Sequence, residues 1–160
     1  MSKEYLSTYL NDHLAGSVTA IEILDHFAEE ASDIAPFLKQ LRRDIEEDRD
    51  QLVVLMDRLD ILPGRIRKAS GWLVHQVVEA KFEADDQPDG LLRRLERLEA
   101  IGLGINGKLG LWRALHTLAE SEERLSGPDY EQLAQRAKEQ LERVEALRLE
   151  AARSALTLAA

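Results

Sequence analysis

Phe37-Leu38-Lys39-Gln40-Leu41-Arg42-Arg43-Asp44-Ile45-Glu46-Glu47-Asp48-Arg49-Asp50-Gln51-Leu52 spaces its apolar residues three and four apart. That is the period of a helix with one buried face. The stripe extends from Ile34 through Met56 to Leu59, so a helix is expected over about 34–60. Pro36 suits the first turn, and Ser32 or Asp33 can cap it. Ile61-Leu62-Pro63-Gly64 ends it, because proline cannot continue the hydrogen-bond ladder. Asp48 falls on the apolar stripe, where a carboxylate requires a partner.

The same pattern recurs on both sides. Leu6, Leu10, Ser17, Ile21, Leu24 and Ala28 define a helix over about 3–30, with His13 on the same face and Ser2 as a candidate N-cap. A shorter helix over about 65–83 carries two apolar stripes and ends at the turn-rich Asp85-Asp86-Gln87-Pro88-Asp89-Gly90. Leu91, Leu95, Leu98, Gly102, Ile105 and Leu109 begin a helix over about 91–125. Within it Gly102-Leu103-Gly104-Ile105-Asn106-Gly107-Lys108-Leu109-Gly110 lacks the spacing and the preceding strand of a phosphate loop. Its Leu103, Gly107, Gly110 and Ala114 share a face, a shallow groove expected to receive the 65–83 helix. Ser126-Gly127-Pro128-Asp129 then caps a helix over about 130–156, with Leu133, Ala137, Leu141, Val144, Ala151 and Ala155 inward.

The whole is expected to be one all-α domain spanning 1–160. Sparse β-branched residues and only 5% aromatics disfavour sheets. A net charge of -9 argues against nucleic acid, which needs a basic face. The one basic run, Arg65-Ile66-Arg67-Lys68, reads as a solvated helix start. With no cysteine, disulfides and thiolate chemistry drop out. No apolar run reaches the ~20 residues that cross a bilayer, and no secretory signal is present, so a cytoplasmic location is expected.

Two long helices, a connection with its own helix and two more long helices resemble the ferritin-like bundle. The expected fold is therefore a ferritin-like four-helix bundle with a crossover helix between the second and third bundle helices. The chain also resembles uncharacterised bacterial proteins with degenerate ferritin-like cores. In the family, two helices each give a glutamate and two give Glu-x-x-His, converging on a di-iron or di-manganese site. Here the residues three before His13, His26, His75 and His116 are Leu10, Ile23, Trp72 and Arg113, none acidic. On the second helix the inward pair at that spacing is Asp48 and Gln51, and the last helix offers Gln140 and Arg143. Ser17 and Asn106 occupy mid-helix positions on the other two.

Taking helix midpoints as one level, Asp44, Asp48, Glu99 and Arg148 are expected to form a buried polar network with Arg148 as the cation. The expectation is a non-enzymatic interaction or structural protein with no catalytic residues, no metal and no cofactor. Its protein partner is unspecified, and a homodimer would form through outer stripes of the 65–83 helix. Two alternatives stand. A metal protein would use His13, Asp48, Glu99 and His116 for iron, manganese or zinc, and an apolar small-molecule binder would use space left by Gly102 and Ala137. His116 with Glu120, and Glu22 with His26, have the spacing of helix-stabilising pairs. Trp72 and Trp112 read as packing residues. No serine has a histidine and carboxylate pattern near it.

Overall fold

The structure, a computed structural model, describes residues 2–64 and 90–158. Four long helices account for nearly all of them: α1 (Ser2–Glu30), α2 (Ala35–Arg58), α3 (Leu91–Ala119) and α4 (Tyr130–Leu156). A 3-10 turn at Glu123–Leu125 links the last two, and no strand occurs among the described residues. None of the described helices is long and apolar enough to cross a membrane. The expected helix over 65–83 lies outside the described residues.

Three boundaries differ from the sequence expectation. Neither Ser32 nor Asp33 caps α2, since its N-cap is Ile34 and makes no side-chain bond. Asp33 is engaged elsewhere, accepting from Arg94 on α3 at 3.0 Å. Ser2 lies inside α1 as its first residue. The third bundle helix stops at Ala119, not near 125. Glu120, Glu122 and Glu123 follow it, and negative charge at a helix C-terminus opposes the macrodipole. At α4 the expected cap is in place: Asp129 accepts the Gln132 backbone N–H at 2.9 Å.

Two apolar clusters fix the helix directions. One gathers Leu24 and Phe27 from the end of α1, Leu38 and Leu41 from the start of α2, Leu95 and Leu98 from the start of α3, and Val144 and Ala151 from late α4. The other gathers Leu10, Leu55, Met56, Leu115, Tyr130 and Leu133, from the opposite ends of the same helices. Hence α1 and α2 form one antiparallel hairpin, α3 and α4 form a second, and α2 runs parallel to α3. The chain leaves α2 at one end of the bundle and enters α3 at the other.

Polar ties hold both ends. At the exit from α2, the Gly64 N–H donates to Asn11 Oδ1 at 2.5 Å, and Asn11 Nδ2 donates to the Leu62 carbonyl at 3.4 Å. Asp60 takes a positive φ of 52°, which Asp tolerates, and accepts from Arg124 at 3.0 Å. At the other end Arg97 donates to both Glu30 oxygens at 2.5 and 3.1 Å, with its guanidinium 5.6 Å above the Phe27 ring.

Candidate functional site

Between the two clusters lies a polar waist. On α2, Asp48 interrupts the stripe between Ile45 and Leu52 and is 1% exposed. Its partner on α3 is Lys108, one turn beyond Ile105 and one turn before Trp112. Lys108 Nζ donates to Asp48 Oδ2 and to Gln140 Oε1, both at 2.5 Å. Gln140 on α4, itself buried, returns a 3.3 Å bond from Nε2 to Asp48 Oδ2. The second Asp48 oxygen, Oδ1, faces Arg136 of α4 at 3.5 Å but has no hydrogen bond among the described residues. One carboxylate therefore holds three helices together. Burial pushes the Lys108 pKa below the ordinary lysine value, and Asp48 pulls it back.

Against this waist, on the α1 side, is a cavity of about 360 Å³ between α1, α2 and α3. That volume suits a small organic molecule. Ile23, Ile45, Leu52, Ile101, Ile105 and Leu111 supply an apolar wall, with His13, Ser17, Asp48 and Lys108 as its polar points. Its floor is opened by Gly16, Gly104 and Gly107. A Cβ built at any of the three would meet nothing within 4 Å among the described residues. Trp112 lines the cavity as well, and its buried indole N–H has no acceptor among the described residues. Trp112 packs in the second apolar cluster, its ring 6.4 Å from that of Tyr130.

The expected polar network is divided. Arg148 does reach Glu99, at 3.3 Å, but its closest partner is Glu145 at 2.6 Å and Glu99 is exposed. Asp44 pairs with Arg143 at 3.0 Å, and Asp48 takes Lys108 in place of Arg148. Arg148 lies one turn beyond the Val144 layer, two turns past Gln140, and so misses the waist. The inward Asp48–Gln51 pair is also corrected: Gln51 is exposed, as is Asn106. Lys108 is the residue that sequence reasoning missed. It follows the inward stripe Leu98, Ile101, Ile105, but its glycine neighbours drew attention to a groove on another face.

The alternative metal set does not assemble. His13 and Asp48 share the cavity wall, whereas His116 is exposed with Nε2 3.9 Å from Glu131, and Glu99 is engaged by Arg148. Among the described residues, no three His, Asp or Glu side chains gather as a metal-holding group. The Lys108 ammonium also stands where a cation would bind Asp48, so the residues present do not fit a di-iron centre. The expected pocket at Gly102 and Ala137 is filled. A Cβ at Gly102 would lie 3.9 Å from Leu141 and Val144, and Ala137 is fully buried. Glu22 and His26 meet through the Glu22 carbonyl, 2.9 Å from His26 Nδ1. His75, Trp72, the basic run at 65–68 and the expected dimer stripes lie outside the described residues. No family model, no curated protein and no solved structure matches the chain.

Proposed function

We propose that this chain is a ferritin-like bundle in which the metal centre has been replaced by a lysine-centred polar waist, and that it binds a compact, mainly apolar small molecule. Two antiparallel hairpins with α2 parallel to α3 support the ferritin-like reading, since such an order requires a connection along the bundle. The single observation that carries the ligand reading is the glycine-floored cavity beside Lys108. Helix glycines cost about 1 kcal/mol each relative to alanine, so a floor open among the described residues at Gly104 and Gly107 needs a compensating use. A ligand with a compact apolar body supplies one.

The test is a titration with 1-hexanol followed by amide and indole NMR. Shifts confined to Gly16, Gly104, Gly107 and the Trp112 indole support the reading. Shifts absent, or scattered over the outer surface, overturn it.

A further inference from the structure

We propose that Lys108 is a reactive amine that captures apolar aldehydes or ketones in this cavity as a reversible imine. The proposal rests on the ligand-binding reading above and names the chemical class of the ligand.

Three features converge on this chemistry. Lys108 alone among the described lysines reaches the core, its side chain 14% exposed, whereas Lys3, Lys39 and Lys138 are exposed. Lys108 and its partner Asp48 both line the cavity. Second, an amine attacks only as the free base, and the base that can take its proton is in place, with Asp48 Oδ2 2.5 Å from Nζ. Burial lowers the Lys108 pKa toward the same neutral form, against the pull of the Asp48 carboxylate. Gln140 Oε1, also at 2.5 Å, accepts a further N–H and fixes the direction of the nitrogen. Third, imine formation needs room beside the amine, and among the described residues Gly104 and Gly107 leave it.

The step balances without an oxidant or a metal. The Nζ lone pair forms the C–N bond as the carbonyl π pair moves to oxygen. The oxygen takes the proton that Asp48 drew from the ammonium, and Asp48 then removes one from nitrogen, giving a carbinolamine. Asp48 returns its proton to the hydroxyl, which leaves as water while the nitrogen lone pair forms the C=N bond. The cationic imine then keeps Asp48 as its counter-ion. Hydrolysis reverses each step.

The experiment uses the full chain with hexanal and sodium cyanoborohydride, followed by peptide mapping by mass spectrometry. Lys108 is expected to be alkylated at least about tenfold faster than Lys39 and Lys138, as suits a desolvated lysine. An excess of 1-hexanol, which fits the same space but cannot form an imine, should suppress the Lys108 adduct alone. The Asp48→Asn variant should slow it, and in Lys108→Arg, which keeps the cation beside Asp48, it should be lost. If hexanol binds but Lys108 reacts no faster than the exposed lysines, the amine chemistry is overturned and the ligand reading survives. Should hexanol also fail to bind, both fall. A Lys108 adduct that hexanol does not suppress overturns capture within the cavity.

Discussion

The two seams between the hairpins are closed by opposite means. Where α2 meets α4, long charged side chains reach across: Glu47 to Arg136 and Asp44 to Arg143, each at 3.0 Å, with Asp48 and Gln140 buried beneath them. Where α1 meets α3, side chains are missing at Gly16, Gly104 and Gly107, and a cavity remains. Arg97 and Glu30 close that seam only near its end. Exposed ion pairs contribute little each, so the charged seam is a shape filler more than a source of stability. The glycine seam gives up packing and helix propensity to keep space. The waist connects the two, since Lys108 lines the cavity and also bonds Gln140.

Breaking that connection should have the largest effect. Asp48→Ala leaves the Lys108 ammonium buried without its carboxylate, and a loss of about 3–5 kcal/mol in urea unfolding is expected. Replacing both partners, Asp48→Leu with Lys108→Met, should recover much of it, because an apolar pair needs no counter-charge. A double variant as unstable as Asp48→Ala would show that the waist is held by packing rather than charge.

The open seam should respond in the other direction. Gly107→Ala meets no neighbour among the described residues and should raise stability by about 0.5–1 kcal/mol. It should also weaken 1-hexanol binding, as its methyl enters the floor. A stabilised variant with unchanged binding would place the ligand elsewhere.

Acid should weaken the same seam through His13, whose ring meets Tyr9 edge-on with centroids 4.6 Å apart. Burial lowers the His13 pKa from its ordinary 6.5, while Asp12 partly opposes this. The unfolded chain therefore takes up this proton first as pH falls. Its contribution is complete above the unfolded pKa and is lost as pH drops through that value toward the folded one. Compared with His13→Gln, the native protein should lose more stability between about pH 7.5 and pH 5. Equal losses would leave His13 outside the acid response. The smallest change should come from Arg143→Ala on the charged seam, about 0.2–1 kcal/mol, reduced further by salt.

The fold was legible where the apolar period was unbroken. Leu38, Leu41, Ile45, Leu52 and Met56 are all buried, as the α2 spacing requires. At helix ends local propensity was overridden: Asp33 prefers an arginine across the bundle to the cap of its own helix. For the waist, periodicity identified Asp48 as a buried carboxylate but not its partner. Partner choice depends on axial register between helices far apart in sequence, and an error of two turns on α4 put Arg148 in the place of Lys108. The cavity was hidden for a related reason. Gly102 and Gly104 are equivalent as letters, yet one faces Leu141 and Val144 while the other meets no described residue.

The course of the chain also bears on how the molecule assembles in time. Each hairpin joins neighbours in sequence, so its contacts form at low entropic cost. Docking the hairpins must wait for closure of the long stretch between α2 and α3. The Asp48–Lys108–Gln140 bonds span that stretch and belong to the late, docked state. Their loss should therefore appear mainly as faster unfolding, with the folding rate little changed. The waist, on this argument, is a latch that sets the lifetime of the folded molecule more than the speed of its formation.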